Sequence, residues 1–194
     1  MTTVCIQPLQ PTDLPQVVAI ERQVYDRPWS EALFASELAQ PTRRYLAARA
    51  DTRDGADRLL GYGGVMDAAG EAHITTVVVD PDVRRRKVAS RLVLALLDAA
   101  VAMGTTAATL EVRAGNHGAQ RLYSSFGFAP VGVRPGYYAP TGEDAIIMWL
   151  YDLGGPECTA RLRQRRSALA TGLDSARLGE PPVGQRAGQP QAVR

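Results

Sequence analysis

The segment that most constrains this chain is residues 74–97, where a buried strand runs through a basic turn into a helix. Residues 74–79 (Ile-Thr-Thr-Val-Val-Val) are mainly β-branched, which predicts a strand. Pro81 ends that strand because proline cannot donate to a ladder. The turn 84–87 reads Arg-Arg-Arg-Lys, and apolar residues at helical spacing from Val88 onward predict the helix.

Such a junction is an anion site. The first N–H groups of a helix have no partner within the helix, and the helix dipole is positive at that end. Phosphate is the group that most often uses this arrangement. We therefore expect a phosphorylated ligand at the end of this strand.

Length and composition predict one globular domain with an extension. The chain has 194 residues, of which 45% are hydrophobic and 22% are charged. No apolar run reaches the roughly 18 residues that span a bilayer, and the N-terminus lacks the pattern of a signal peptide. Cys5 and Cys158 lie far apart and form no metal or redox motif. These features predict a cytoplasmic, reduced protein that carries no metal and does not bind membranes.

The basic charge is concentrated near the C-terminus. Residues 154–194 contain seven arginines and three acidic residues, whereas residues 1–153 contain 15 basic and 17 acidic residues. The overall pI of about 8.7 therefore gives no reason to expect that the folded part binds nucleic acid directly. Glycine, proline and glutamine in 154–194 predict a disordered tail, with a frayed helix over Arg161–Ala170 as the one alternative within it. The alternative is that the arginines of this tail contact RNA or the ribosome.

Periodicity and turn residues predict the element order β-α-α-β-β-β-α-β-α-β-β over residues 1–153. Two polar residues follow the phosphate turn. Glu111 lies inside an apolar strand, where a carboxylate is costly unless it is functional or paired. Tyr123 lies on the next predicted helix. Taken alone, Glu111 could be a strand-end surface residue and Tyr123 a core residue, but their order after a phosphate turn favours a catalytic pair.

At this point the sequence resembles the GNAT superfamily of N-acetyltransferases. The motifs that carry the resemblance cover about residues 4–151. They are 79–89 (Val-Asp-Pro-Asp-Val-Arg-Arg-Arg-Lys-Val-Ala), 28–30 (Pro-Trp-Ser), 110–116 (Leu-Glu-Val-Arg-Ala-Gly-Asn), 122–128 (Leu-Tyr-Ser-Ser-Phe-Gly-Phe), 137–138 (Tyr-Tyr) and 143–145 (Glu-Asp-Ala). Within the superfamily they are most similar to enzymes that acetylate the N-terminal alanine of a small-subunit ribosomal protein. The resemblance implies an α/β (α+β) fold: a mixed, mostly antiparallel central sheet, flanked by helices and splayed at the acetyl-CoA strand.

The resemblance also implies roles for individual residues. Glu111 would be the general base, and Tyr123 the general acid for the departing thiolate. Backbone groups of the strand would bind the pantetheine arm and the thioester, the turn would cradle the pyrophosphate, and an asparagine would bond the pantetheine. The implied acetyl-CoA residues are Val77, Val78, Val79, Arg85, Arg86, Lys87, Val88, Ala89, Ser90 and Asn116. Trp29, Tyr137 and Tyr138 would flank the peptide groove.

Lys87 departs from the family pattern, which has glycine at this position. If that glycine serves a backbone angle or a close approach, a side chain is harmful there. If the position is the first helical turn, Lys87 costs little and adds a cation beside the pyrophosphate. The second interpretation is favoured.

The expected activity is acetyl-CoA-dependent acetylation of a protein N-terminus, by direct transfer in a ternary complex. An α-amine has a pKa of about 7.7–8.0 and a lysine amine about 10.4, so one carboxylate base suits the α-amine better. His73 and His117 form no triad or metal pattern. The alternatives are a GNAT enzyme acting on protein lysines or a small-molecule amine, and a non-catalytic acetyl-CoA sensor.

Overall fold

The computed structural model describes residues 3–51 and 58–171. The strands are β1 (Thr3–Pro8), β2 (Arg43–Asp51), β3 (Arg58–Ala68), β4 (Glu71–Val79), β5 (Ala107–Arg113), β6 (Ala129–Tyr138) and β7 (Glu143–Leu150). The helices are α1 (Leu14–Val24), α2 (Glu31–Leu38), α3 (Val88–Ala102), α4 (His117–Ser124) and α5 (Pro156–Thr171). Up to β7, the order of strands and α-helices is the one that the sequence predicts.

The strands form one mixed sheet in the order β1-β2-β3-β4-β5-β7-β6. Every neighbouring pair is antiparallel except β4 and β5. Those two pair in parallel over only three residues each, Glu71–His73 with Ala107–Thr109. Both strands continue beyond the paired residues and separate, so the predicted splay is confirmed.

Helices cover both faces of the sheet. Because strand side chains alternate between faces, neighbouring residues of one strand enter different apolar clusters. Val77 packs in the cluster that contains α3 and α5, whereas Val78 packs with α1 and α2. The same alternation in β5 buries Leu110 and Val112 on the α3 side. Glu111 between them projects to the opposite face.

Helix α5 differs from the disordered tail that the sequence predicts from residue 154, and it is longer and more firmly packed than the frayed helix considered for Arg161–Ala170. Its Cys158, Leu162 and Leu169 are buried in the main core cluster. The guanidinium of Arg91 on α3 donates to the carbonyl of Leu169 at 2.6 Å. Residues 154–171 are therefore ordered and packed against the domain. The part of the prediction that concerns 172–194 lies outside the described residues.

Candidate active site

A groove of about 440 Å³ opens where β4 ends and α3 begins. Its walls come from the end of β4, the loop before α3, the first turn of α3 and one face of α4. The lining residues are Val24, Val77, Val79, Val83, Arg84, Arg85, Lys87, Val88, Ala89, Ser90, Asn116, Gly118, Ala119, Arg121, Leu122 and Tyr123. The groove thus brings together most of the residues that the sequence associates with acetyl-CoA. Val78, whose side chain points to the other face, and the exposed Arg86 lie outside its lining.

The loop before α3 turns through two left-handed residues, Arg85 (φ +67°) and Lys87 (φ +61°). Lys87 is the N-cap residue of α3, and its side chain makes no capping hydrogen bond. The favoured interpretation of Lys87, as an ordinary first-turn residue, is therefore wrong. The position has a backbone angle that suits glycine, and a residue with a Cβ adopts it at a cost of about 1–2 kcal/mol. Lys87 adopts the left-handed angle despite that cost.

The groove fits a ligand that is anionic at one end and apolar at the other. Arg84, Arg85, Lys87 and Arg121 supply cations beside the start of α3, where the helix dipole is positive. The burial of the Arg84 guanidinium lowers its pKa below the usual value. Val77 and Val79 of β4 add apolar side chains to the lining of the same groove. A pyrophosphate and a flexible pantetheine arm match these two regions in charge and polarity.

Asn116 lies at the groove and also begins α4. Its Oδ1 accepts a hydrogen bond from the Ala119 N–H at 3.0 Å and so caps the helix. Glu143 holds the preceding loop, because its carboxylate accepts from the Gly115 N–H at 2.9 Å and the Arg113 guanidinium at 3.0 Å. The predicted ligand residue is thus fixed from both sides.

Tyr123 lies in the lining of the groove, although only 1% of its surface is exposed. Its ring packs edge-on against Phe128, with a centroid separation of 5.9 Å. Burial raises the pKa of the Tyr123 hydroxyl well above its ordinary value. The phenol therefore keeps its proton at neutral pH and has one to donate.

Glu111 lies on β5 with 4% of its surface exposed, outside the lining of the groove. His73 Nε2 lies 2.7 Å from its Oε2, and the Arg134 guanidinium lies 3.1 Å from its Oε1. The hydrogen bond from His73 is the largest cause that lowers the pKa of Glu111, and the positive charge of Arg134 acts in the same direction. The carboxylate is therefore ionised and engaged at both oxygens, rather than isolated in an apolar strand.

The three predicted peptide-groove residues differ in their surroundings. Tyr137 is 42% exposed, whereas Tyr138 is buried and its hydroxyl donates to the Glu111 main-chain carbonyl at 3.2 Å. Trp29 is half-buried and packs on Phe34, with ring centroids 5.3 Å apart. Tyr137 and Trp29 are accessible to a substrate, and Tyr138 joins β6 to β5.

Sequence reasoning missed the two partners of Glu111 and two cations of the groove, Arg84 and Arg121. His73 and Arg134 are 38 and 23 residues away from Glu111 along the chain, so no local spacing connects them. Arg84 belonged to the basic turn but was not assigned a role.

Among residues 3–51 and 58–171, no group of three or more His, Cys, Asp or Glu side chains could hold a metal ion. No helix in those ranges is long and apolar enough to cross a membrane.

Comparison with known proteins identifies the family. The model of the Acetyltransferase (GNAT) family matches residues 14–128. The ribosomal protein bS18-alanine N-acetyltransferase of Escherichia coli K12 is 37% identical over 147 residues, which are 75% of this chain and 95% of that protein. The N-alpha-acetyltransferase RimI of Mycobacterium tuberculosis is 36% identical over 151 residues, which are 75% of this chain and 90% of that protein.

Solved structures agree with the sequence comparison. The crystal structure of the ribosomal-protein-S18-alanine N-acetyltransferase from Escherichia coli has a TM-score of 0.68 and 33% identity, and the match covers 80% of this chain and 97% of that one. Arabidopsis thaliana NAA60 in complex with acetyl-CoA shares the fold, with a TM-score of 0.70 at 20% identity over 79% of this chain and all of that one. The chain therefore belongs to the GNAT family of acetyltransferases, and is an N-acetyltransferase that resembles RimI.

Proposed function

We propose that this protein transfers the acetyl group of acetyl-CoA to the N-terminal alanine of ribosomal protein bS18, directly and within a ternary complex. The observation that carries the proposal is the similarity to relatives with that named activity, over nearly their whole length. The groove supports it, since its cationic end suits a pyrophosphate and its apolar end suits a pantetheine arm.

Glu111 and Tyr123 are proposed to move the protons. The neutral amine nitrogen attacks the thioester carbonyl carbon, so that a C–N bond forms and the C–S bond breaks. The ionised Glu111 takes the amine proton, through a water because the carboxylate lies outside the groove lining. The protonated Tyr123 hydroxyl gives its proton to the departing thiolate.

The ionisation of Glu111 matches an α-amine better than a lysine amine. A carboxylate whose pKa is lowered by His73 and Arg134 is a weak base. An α-amine has a pKa of about 7.7–8.0 and is partly neutral near pH 7, whereas a lysine amine at about 10.4 is almost wholly protonated. A weak base is sufficient for the first amine and inadequate for the second.

Trp29 and Tyr137 are proposed to flank the bound peptide. The main-chain N–H of Trp29 donates to the buried Glu21 carboxylate at 3.0 Å. This hydrogen bond anchors the loop between α1 and α2. The Arg134 guanidinium lies 5.6 Å from the centre of the Tyr137 ring, on β6. Two aromatic side chains on different elements, one of them next to a Glu111 partner, could contact the first residues of a peptide.

The proposal is tested with acetyl-CoA and three acceptors, and the products are read by mass spectrometry. The acceptors are the N-terminal peptide of bS18, the same peptide with a blocked terminus and a free lysine, and a polyamine. We expect acetylation of the first only. Modification confined to the blocked peptide or the polyamine would reassign the substrate, and acetyl-CoA binding without any product would make the protein a sensor.

Glu111→Gln and Tyr123→Phe should each reduce kcat, the former by about 10²–10⁴-fold, while acetyl-CoA still binds. The matched comparison is Tyr138→Phe, which also removes one buried hydroxyl, in this case one that donates to the Glu111 main-chain carbonyl. Turnover is measured in a steady-state assay, and acetyl-CoA binding by calorimetry. Wild-type turnover in the first two variants would remove both residues from the mechanism.

A further inference from the structure

His73 and Glu111 meet where β4 and β5 separate. The parallel ladder ends at the pair formed by His73 and Thr109. Two residues further along β5, the Glu111 carboxylate approaches His73 Nε2 to 2.7 Å. This side-chain contact therefore continues the connection between the strands just beyond their last backbone pair.

The direction of the hydrogen bond between His73 and Glu111 follows from the ionisation of Glu111. An ionised carboxylate only accepts hydrogen bonds, so His73 Nε2 carries the hydrogen and donates it to Glu111 Oε2. A hydrogen bond of this charge-assisted kind is short and strong. It restricts the rotation of a side chain that would otherwise have freedom where the strands splay.

We propose that His73 is a positioning residue for Glu111: its Nε2 holds one carboxylate oxygen at the point where the strands separate. The inference rests on the proposed role of Glu111 as the base. It assigns His73 no contact with the substrate, and it requires only that Nε2 donates to the carboxylate.

Other groups around Glu111 contribute less to its orientation. Arg134 on β6 approaches Oε1 at 3.1 Å, but its side chain is 53% exposed, against 27% for His73, and is more strongly screened by water. Tyr138 donates to the main-chain carbonyl and not to the carboxylate. Arg113, on the same strand, pairs with Glu143 on β7 at 3.0 Å.

Tyr25, which directly follows α1, interacts electrostatically with Tyr138 and Arg113. Burial raises the pKa of its hydroxyl well above the ordinary value, so that it stays neutral over the range of an activity assay. The groups that face the Glu111 carboxylate itself are His73 on β4 and Arg134 on β6. Of these, His73 supplies the shorter contact and the larger lowering of the Glu111 pKa.

Two substitutions of His73 separate positioning from other roles. His73→Leu fills similar space and removes the donor, whereas His73→Gln keeps an N–H donor that cannot act as an imidazole base. We expect His73→Leu to lower the plateau kcat on the order of 10-fold, since misplacement of a catalytic group is costly. His73→Gln should retain most of the wild-type kcat, and His117→Gln, at an exposed histidine, should match the wild type.

A second readout does not depend on turnover. The Glu111 carboxyl is titrated by carbon NMR in the wild type, His73→Leu and His73→Gln, with thermal unfolding to confirm that each variant folds. The Glu111 pKa should rise in His73→Leu and rise less in His73→Gln. In a Glu111→Gln background, His73→Leu should have no further effect on kcat.

The outcomes distinguish the two proposals. Wild-type kcat and an unchanged Glu111 titration in His73→Leu would overturn the positioning role. Equal loss of kcat in His73→Leu and His73→Gln would also overturn it, because the imidazole itself would then be needed. If the wild type acetylates no acceptor, but the Glu111 pKa still rises in His73→Leu, the proposed function fails and the contact stands.

Discussion

Replacing Leu162 by alanine tests whether α5 is an integral part of the domain. Leu162 is 6% exposed and packs in the main core cluster. The change removes three carbon atoms, which at about 0.8 kcal/mol each gives a transfer cost of about 2.4 kcal/mol. A residual cavity adds to this cost, so we expect the free energy of unfolding to fall by about 2–5 kcal/mol, the range for buried leucines.

The assay is urea unfolding followed by circular dichroism and tryptophan fluorescence. Gln164→Ala is the matched control, since Gln164 lies on the exposed face of the same helix. It should change the free energy of unfolding by less than about 0.5 kcal/mol. If Leu162→Ala and Gln164→Ala have equal midpoints, α5 is not docked and the reasoning from burial is refuted. The same result would restore the prediction of a tail that begins at residue 154.

Two further predictions concern the site. Lys87→Gly relieves the left-handed strain, so its free energy of unfolding in urea should be about 0.5–1 kcal/mol higher than that of Lys87→Ala. Equal stabilities would show that the angle is not strained. Both variants lose the ammonium, so both should raise the KM for acetyl-CoA several-fold, and less so at high salt. The second concerns Glu111, whose pKa is lower in the folded protein than in the unfolded chain. Its stabilising contribution is present above the unfolded pKa of about 4.3 and is lost as the pH falls through the folded value. Glu111→Gln should therefore weaken the acid dependence of the urea midpoint, and an unchanged dependence would contradict the pairing.

Local patterns in the sequence were sufficient for most of the fold. The strand, basic turn and helix of residues 74–102 were predicted because β-branching, proline and helical periodicity act over a few neighbouring residues. Serine is a residue type that favours the start of a helix, and the Oγ of Ser30, just before α2, accepts from the Leu33 N–H at 3.2 Å. The splay between β4 and β5 came from the family resemblance and not from any pattern within the strands.

Helix α5 shows where local patterns mislead. Its arginine-rich composition is typical of a solvated extension, yet several arginines have partners in the domain. Arg166 bonds both carboxylate oxygens of Asp98, and the Arg165 guanidinium lies 4.9 Å from the centre of the Phe126 ring. Composition counts charges but carries no information about their partners, which here are Asp98 on α3 and Phe126 just after α4.

The sequence by itself determined the order of strands and α-helices up to β7, the phosphate-binding turn and the identity of the residues proposed for catalysis. Only the tertiary structure decided the left-handed angle of Lys87, the docking of α5 and the pairing of Glu111 with His73 and Arg134. The physical reason is the distance along the chain over which each effect acts. Propensity and periodicity depend on neighbours within a few residues, whereas burial, ion pairing and the pKa of a carboxylate depend on atoms that only strand register and helix packing bring together.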